Sequence, residues 1–338
     1  MRTLFGKTLK ELLEITGELG LPSYTAKQLT DWLYKKQVDS LEKMTNISQK
    51  NRDILQKQFA LGVSNPFGKQ SSQDGTLKYL FPIGNGKSVE SVFIPEQDRA
   101  TLCISSQVGC KMGCLFCMTG KQGFQGNLTA GEILNQVRSL PEKEKLTNIV
   151  YMGMGEPMDN LEEVMKSLEI FTADWGYGFS PSRITVSSIG KLPALKTFLD
   201  QSRCHLAISL HASDADVRSS LMPVEKAFPM AEIVQLIRQY DWSHQRRISF
   251  EYILFRGVND TLKHARNLHL LLQGIPCRIN LISFHEIPGV EVKGSERTTM
   301  EAFKDYLNNK GLLTTLRKSR GEDILAACGL LSTERNCP

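Results

Sequence analysis

The sequence predicts an α/β fold, a partial (β/α)6 barrel that follows a small helical accessory domain. Two observations predict it. From Thr101 onward, short apolar strand patterns alternate with amphipathic helical patterns, and repeated βα units build a parallel sheet with helical cover. Before that point, apolar residues first recur at helical spacing. The chain of 338 residues is long enough to form both parts.

The N-terminal segment has the pattern of several short helices. Apolar residues recur in Leu9–Ile15 and Leu29–Leu33, with a break at Pro22-Ser23. We predict a helical accessory domain over residues 1–75. Its basic residues either contact phosphates or form an ordinary solvated face; they are Lys27, Lys35, Lys36, Lys50, Arg52 and Lys57.

Three strand patterns follow the helical segment. They are Thr76–Phe81, Val89–Ile94 and Thr101–Ser105, and Asn85-Gly86 between the first two is a strong hairpin signal. We interpret residues 76–95 as a strand extension that joins the helical domain to the core.

The core domain is predicted over residues 96–338. Its further strands are Asn148–Met152, Arg183–Ser187, Leu206–Leu210, Ile248–Leu254, Arg278–Ile282 and Leu313–Leu316. The helical patterns between them are Ala130–Val137, Leu161–Phe171, Leu192–Leu199, Ala231–Tyr240, Leu262–Leu272 and Met300–Asn309. This alternation amounts to six βα units.

Composition narrows the class of protein. Charged residues interrupt the N-terminus, so it lacks the apolar region of a signal peptide, and no stretch is long and apolar enough to span a membrane. We therefore expect a cytoplasmic protein, in which eight cysteines serve metal binding or catalysis rather than a disulfide framework. The net charge of +5 suits a nucleic-acid partner and an ordinary solvated surface equally well.

Three of the cysteines form a compact motif. Cys110, Cys114 and Cys117 have the spacing C-x3-C-x2-C in CKMGCLFC. Structural zinc and ferredoxin clusters use four ligands, and no fourth Cys or His lies within ten residues of the motif. Three thiolates leave one iron of a cluster open, and the motif resembles that of radical S-adenosylmethionine enzymes. The alternative is a zinc knuckle that recruits distant Cys204, Cys277 or a histidine.

Polar residues follow the next predicted strands. Gly153-Met154-Gly155-Glu156-Pro157 follows the first of them, Ser187 ends the second, and Ser209-Leu210-His211 ends the third. In a parallel barrel, chemistry collects at the carboxyl ends of the strands. The glycines permit close backbone approach, and the Glu156 carboxylate suits a ligand ammonium group.

Over nearly its whole length the sequence resembles the RlmN-type dual-specificity RNA adenine-C2 methyltransferases, relatives of the Cfr-type C8 enzymes. The stretches that carry the resemblance are SVESVFIPEQDRATLCISSQVGCKMGCLFCMTGKQGF, YMGMGEPMDN, ITVSSIG, AISLHA, GVND, INLI and RKSRGEDILAACG. It implies a radical-SAM barrel.

The resemblance also implies the cofactors and their residues. The 4Fe-4S cluster would be bound by Cys110, Cys114 and Cys117. S-adenosylmethionine, of which two molecules are used per turnover, would be bound by Gly155, Glu156, Ser187, Ser209, Leu210 and His211. The sequence departs from the family at His285 in INLISFHE, where the bacterial prototype has asparagine soon after INLI. Histidine still forms hydrogen bonds, so we include it among the cofactor contacts.

Two isolated cysteines and a glutamate receive catalytic roles from the same resemblance. Cys328 would accept a methyl group, which a radical then joins to adenine C2 through a covalent protein–RNA adduct. Glu90 falls at the position of the proton acceptor. Cys103 would release the product by attacking the Cys328 sulfur, which leaves a disulfide bond. Cys204, Cys277 and Cys337 match no motif, so we interpret them as core or tail residues.

The implied substrates are an adenosine of 23S rRNA and one in the anticodon loop of tRNAs. We expect basic loops such as Arg246-Arg247 and Arg317-Lys318-Arg320 to contact phosphates, an external electron donor such as flavodoxin, and a monomer with no membrane partner. The closest alternative is a Cfr-type adenine-C8 enzyme. A small-molecule radical enzyme or activase would leave the pair Cys103 and Cys328 unexplained. A zinc-dependent RNA-binding module without catalysis is the alternative from a different class, and an iron and sulfide assay of anaerobically purified protein would distinguish it.

Overall fold

The structure is a computed structural model that describes residues 1–242 and 246–333; Cys337 lies outside the described residues. The N-terminal segment is helical, as predicted. Its elements are β1 (Arg2–Thr3), α1 (Leu9–Glu18), α2 (Tyr24–Thr30), which continues as a π-helical turn through Lys35, α3 (Gln49–Gln58) and β2 (Phe59–Ala60). A capping box starts α1. The Thr8 hydroxyl accepts a hydrogen bond from the Glu11 backbone amide, and the Glu11 carboxylate accepts one from the Thr8 backbone amide.

Two of the basic residues of this segment serve its own structure. The Arg52 guanidinium donates to the carbonyl oxygens of Met44 and Ile47, and the Lys36 ammonium lies 3.8 Å from the Trp32 ring centroid. Arg52 therefore ties down the loop before α3. The short parallel pair of β1 and β2 closes the segment, since residues 2–3 pair with 59–60.

A ten-stranded mixed sheet and its helices form the rest of the molecule. The strands are β3 (Gly68–Ser71), β4 (Leu77–Ile83), β5 (Lys87–Pro95), β6 (Ala100–Cys103), β9 (Asn148–Tyr151), β10 (Ile184–Ser188), β11 (His205–Ser209), β12 (Ile248–Leu254), β13 (Arg278–Ser283) and β14 (Leu313–Leu316), while β7 (Gln107–Val108) and β8 (Gly126–Asn127) pair separately. The helices are α4 (Met118–Gln122), α5 (Ala130–Arg138), α6 (Leu161–Thr172), α7 (Leu192–Gln201), α8 (Ala215–Leu221), α9 (Met230–Ile237), α10 (Leu262–Leu272) and α11 (Arg297–Asn309).

The strand order confirms the predicted α/β class. In the order β14-β13-β12-β11-β10-β9-β6-β5-β4-β3, strands β6 and β9 to β14 are parallel, whereas β3, β4 and β5 join antiparallel. Six helical crossovers link these seven parallel strands, which are the six predicted βα units. The two edge strands of this order are not paired with each other, so the barrel is partial. The hairpin of β4 and β5 turns at Asn85 and Gly86, whose φ angles are +63° and +72°.

The sequence pattern missed the most polar elements. Strand β3 reads GKQS and is mostly exposed, so it has no apolar alternation to mark it. Helix α8 reads ADVRSSL and buries only Arg218 and Leu221. The predicted domain boundaries stay a prediction, although β3 extends the sheet back to Gly68. Among the described residues, no helix is long and apolar enough to cross a membrane.

Candidate active site

A cavity of about 150 Å³ lies at the carboxyl ends of the parallel strands, against the loop that follows β7. Nine of the predicted site residues line it: Cys110, Cys114, Cys117, Gly155, Glu156, Ser187, Ser209, His211 and Cys328. Residues more than two hundred positions apart in the chain therefore meet at one site. The parallel strand register brings them together, because β9, β10, β11 and β12 are neighbours.

The glycines after β9 are required by close backbone contacts. A Cβ at Gly153 would lie 2.7 Å from the Ile104 carbonyl oxygen, and one at Gly155 would lie 2.6 Å from the Gln107 Cβ. Gly155 also has a φ of +103°, a conformation that favours glycine. The loop can therefore lie directly on the segment after β6 only if both positions lack a side chain.

The Glu156 carboxylate is buried and held in place by two backbone amides. One oxygen accepts from the Met158 amide at 2.9 Å and the other from the Ile189 amide at 3.0 Å. Burial raises the pKa of Glu156 to about 7, although these hydrogen bonds oppose the rise. The carboxylate is thus positioned by the loops after β9 and β10, and a cationic group in the cavity would favour its ionised form.

His211 presents a neutral imidazole to the cavity. Its Nδ1 accepts from the Ile253 amide at 3.0 Å, so the proton of the neutral ring is on Nε2. Burial, and then the charge of Arg218, lowers the pKa of His211 to about 3. The residue has a φ of +56°, which is uncommon for a non-glycine residue. Leu210 does not line the cavity; its carbonyl accepts from Arg218.

A buried ion pair that the sequence analysis missed supports these strand ends. Arg218 is fully buried, pairs with Glu225, and donates to the carbonyl oxygens of Leu210, Ser209 and Ile189. It therefore ties β11 to the loop after β10. A single arginine in the short polar helix α8 carries no motif, so only the tertiary contacts reveal it.

The three clustered cysteines fit a metal cluster by their ligand chemistry. Cys110, Cys114 and Cys117 line the same cavity, and burial raises the pKa of each thiol, that of Cys110 to about 12. Thiolates this buried need a compensating cation. Within the described residues, no three His, Cys, Asp or Glu side chains are grouped closely enough to hold a single metal ion.

The segment that carries Cys328 packs on the cysteine loop. The Met118 amide donates to the Gly329 carbonyl at 2.7 Å, and the Thr119 hydroxyl donates to the Leu331 carbonyl at 2.7 Å. Gly329 has a φ of +84°, and a Cβ there would lie 2.9 Å from the Phe116 carbonyl oxygen. These contacts place exposed Cys328 on the wall of the cavity.

Glu90 lies behind that segment rather than on the cavity wall. It is completely buried in β5, its carboxylate lies 2.9 Å from the Lys78 ammonium, and it accepts from the Ser332 amide at 2.9 Å. Glu90 thus anchors the segment that carries Cys328, and its role as proton acceptor stays a prediction.

Cys103 ends β6 beside Cys328. Burial raises the pKa of the Cys103 thiol to about 12; Cys328 adds to the rise and Arg317 opposes it. Arg317 lines the cavity, and its guanidinium lies 3.7 Å from the Glu251 carboxylate. All cysteines among the described residues are free, so no disulfide bond joins Cys103 to Cys328.

The remaining predicted contacts lie elsewhere. His285 lines a separate cavity of about 50 Å³ that shares Cys328 and Arg317, and its Nε2 lies 2.7 Å from the Ser319 hydroxyl. The Arg246 guanidinium donates to the carbonyl oxygens of Cys204 and Leu199. Arg246 therefore contacts the end of α7 and the residue before β11, whereas its neighbour Arg247 is exposed.

Comparisons with known proteins agree with this geometry. The Radical SAM superfamily model matches residues 104–268, and the model of the ribosomal RNA large subunit methyltransferase N-terminal domain matches residues 3–61. A relative from Parabacteroides distasonis, named probable dual-specificity RNA methyltransferase RlmN, is 60% identical over 99% of this chain and 98% of its own length. The chain belongs to the RlmN family.

Two more distant relatives also match over nearly the whole chain. The dual-specificity RNA methyltransferase RlmN of Desulfotalea psychrophila is 41% identical over 96% of this chain and 93% of its own. The crystal structure of a radical SAM methyltransferase from Sphaerobacter thermophilus is 38% identical, with a TM-score of 0.92 over 99% of this chain and all of that one. Radical SAM membership implies a 4Fe-4S cluster and S-adenosylmethionine as cofactors.

Proposed function

We propose that this protein methylates C2 of an adenosine in 23S rRNA and of an adenosine in the anticodon loop of tRNAs. One observation carries the proposal: Cys328 lines the cavity that the three clustered cysteines also line, and the buried thiol of Cys103, from a distant part of the chain, lies close enough to interact electrostatically with it. A radical enzyme for small molecules has no use for this pair. The names of the relatives, dual-specificity RNA methyltransferases, supply the substrate class.

In this proposal Cys110, Cys114 and Cys117 hold the 4Fe-4S cluster. Gly155, Glu156, Ser187, Ser209 and His211 contact S-adenosylmethionine, of which two molecules are used per turnover. When bound, these cofactors supply a methyl group, an electron and a carbon radical. Buried Glu156 and the Nε2–H of neutral His211 suit the ammonium and the oxygens of such a ligand. Leu210 and His285 are offered as further contacts from family resemblance alone.

The cysteines carry the carbon atom. The Cys328 thiolate accepts the methyl group, which would then lose one hydrogen atom to the carbon radical supplied with the cofactors. The methylene radical left on the Cys328 sulfur adds to adenine C2, so that a thioether links the protein to the RNA. Glu90 is the proposed acceptor of the C2 proton, and the unpaired electron of the adduct would pass to the cluster. The Cys103 thiolate then attacks the Cys328 sulfur; a disulfide bond forms, the sulfur–carbon bond breaks, and its electron pair stays with the product carbon, which takes up a proton. Covalent catalysis divides one difficult substitution into easier steps.

The Arg317 guanidinium supports this chemistry electrostatically. It lines the cavity with Cys328, and Cys328 raises the pKa of the guanidinium, so the two groups attract when the thiol is ionised. An adenine must leave its stack to reach this cavity. By family resemblance we further propose a cytoplasmic monomer that takes electrons from an external donor such as flavodoxin.

The test is the identity of the methylated nucleoside. Anaerobically reconstituted protein is incubated with S-adenosylmethionine, a one-electron reductant and a 23S rRNA fragment or a tRNA transcript. Mass spectrometry of the digested RNA should show 2-methyladenosine, and Cys114→Ala should show none. Exclusive formation of 8-methyladenosine would assign the Cfr-type reaction instead, and unmodified RNA with an intact cluster would reject the proposal.

A further inference from the structure

A second, larger cavity lies at the opposite ends of the same strands. Its volume is about 840 Å³, within the range of small-molecule sites. Four arginines line its mouth: Arg99, Arg183 and Arg247 directly precede β6, β10 and β12, and Arg278 begins β13. Because parallel strands begin at one edge of a sheet, these four guanidinium groups converge.

The positive charge of this cavity is not neutralised by its own walls. Among the described residues that line it, Glu251 is the one carboxylate, and it already lies beside Arg317. Arg99 is paired with Glu96 at 3.3 Å. The guanidinium of Arg183 contacts a neutral amide, that of Asn148, at 3.5 Å.

Arg247 and Arg278 leave the cavity with excess positive charge. Within the part of the chain that the structure describes, the side chains of Arg247 and Arg278 have no carboxylate partner. Three guanidinium groups (Arg183, Arg247 and Arg278) thus lack an anionic partner in those residues. An exposed arginine without a partner costs the fold little free energy because water solvates its charge. Three such arginines at the mouth of one cavity also form a favourable site for an anion.

A buried histidine in the same cavity also lacks a partner. His205 begins β11 between the arginines and is 8% exposed, and its Nε2 has no hydrogen-bond partner in the described structure. Buried polar atoms are normally satisfied. The Nε2 atom is therefore one more polar atom beside this cavity without a hydrogen-bond partner in the described structure, and it is itself not exposed.

We propose that the amino ends of the parallel strands form a second binding site, which takes a ligand with two or more phosphate groups. Each guanidinium group can bind two phosphate oxygens, and three unneutralised positive charges exceed the charge of a single phosphate dianion. The ligand is either a stretch of RNA backbone or a free polyphosphate. Met152, Glu251 and Arg317 line both cavities, so such a ligand would bind directly behind the Cys328 cavity. The proposal does not depend on the methylation chemistry.

The test uses inorganic pyrophosphate and a tRNA transcript as probes with the full-length protein. Isothermal titration calorimetry should show that Arg247→Gln/Arg278→Gln binds pyrophosphate at least tenfold more weakly than the unaltered protein. The matched control is Arg266→Gln, which removes an exposed arginine from α10 away from the cavity. Thermal unfolding of all variants checks that the fold is intact, and Arg183→Gln should weaken binding in the same direction.

The binding of tRNA then identifies the source of the phosphates. If it is RNA, the double variant also binds tRNA more weakly, pyrophosphate competes with tRNA, and the dependence of affinity on salt becomes shallower by about one to two counterions. If it is a free polyphosphate, the double variant loses pyrophosphate but binds tRNA normally. Equal pyrophosphate binding by the double variant and the unaltered protein overturns the proposal, as does an equal loss in Arg266→Gln.

Discussion

The two ends of the parallel sheet are built by different physical means. At the carboxyl ends, Glu156 and His211 are buried, and backbone amides hold each of them in one orientation. At the amino ends, Arg247 and Arg278 line a cavity and are exposed to solvent. The same strands therefore carry one site that is rigid before any ligand binds and another that acts through charge.

The two sites differ in how much each reduces the free energy of unfolding. The carboxyl ends require a buried ion pair, Arg218 with Glu225, and a positive φ at His211 and Gly155. Buried charges and unusual backbone conformations persist only where the surroundings compensate them. At the amino ends the arginines Arg183, Arg247 and Arg278 are exposed to water, and His205 and Glu251 are the buried titratable side chains described for that cavity. Substitutions should therefore have large effects at the first site and small ones at the second.

The largest effect is expected for cysteines, which occur at both ends. Cys103→Ala and Cys328→Ala should each abolish turnover, because both sulfurs take part in covalent steps. They should differ in what accumulates: Cys103→Ala should leave RNA attached through Cys328, and Cys328→Ala should leave no adduct. Denaturing electrophoresis before and after ribonuclease treatment measures this.

The matched control for the cysteine pair lies at the amino ends. Cys277 directly precedes β13 and is half-buried, so Cys277→Ala should turn over normally. Normal turnover by Cys103→Ala, or trapped RNA in Cys277→Ala, would show that the assignment of roles to the two ends is wrong.

The sequence predicted the carboxyl-end site far better than the amino-end one. The spacing of Cys110, Cys114 and Cys117 and the strand-end positions of Glu156 and Ser187 are local patterns, and the βα alternation places them together. The arginines at the amino ends have no spacing of their own, since each belongs to a different strand. Only the sheet order reveals that they converge.

Packing partners were equally invisible in the sequence. The contact of Glu90 with Ser332 joins residues far apart in the chain, and Arg218 reaches three backbone carbonyls that no motif marks. His285 was expected beside the cofactor residues, but a side chain in an irregular loop cannot be oriented from sequence. Regular elements with apolar periodicity were predictable because burial alone specifies them.

The buried ion pair should show the next largest effect. Glu225→Gln leaves the Arg218 charge buried without its partner, which typically costs about 3–5 kcal/mol. The control is Glu296→Gln, which breaks an exposed pair with Arg256 and should cost about 1 kcal/mol or less. Urea unfolding followed by circular dichroism measures both. Equal losses would show that the Arg218 pair is no more important to stability than a surface contact.

Substitution of glycines with positive φ should give a smaller difference in stability between the two ends. Gly155→Ala combines an unfavourable φ with a contact at 2.6 Å, so we expect a loss of about 2–4 kcal/mol. Gly274, in the loop between α10 and β13, has a φ of +83° and open space around its Cβ position. Gly274→Ala should therefore cost about 1 kcal/mol. Unfolding free energies in urea compare the two, and a larger loss for Gly274→Ala would contradict the crowding argument.

The smallest effect concerns two histidines, one at each end. The pKa of His205 is lowered to about 4 by burial and then by Arg247, Arg246 and Arg278, whereas that of His211 is lowered to about 3 by burial and then by Arg218. In the unfolded chain both take up a proton near pH 6.5. The stability associated with the neutral rings is therefore fully present above pH 6.5 and is lost as the pH falls toward 4 and 3.

Substitution of the exposed Arg247 should change the pKa of His205 and leave that of His211 unchanged. Arg247→Gln should raise the pKa of His205 by about half a unit, the size expected of one screened charge, and so lessen the loss of stability in acid. The pKa of His211 should not move, because its causes lie at the other end of the strands. Titration of the histidine ring protons by NMR between pH 7 and 3 measures the His205 shift, and 1 M salt should reduce it. If Arg247→Gln moved both histidines equally, the charges at the amino ends would reach the active site, and the two ends would form one electrostatic unit.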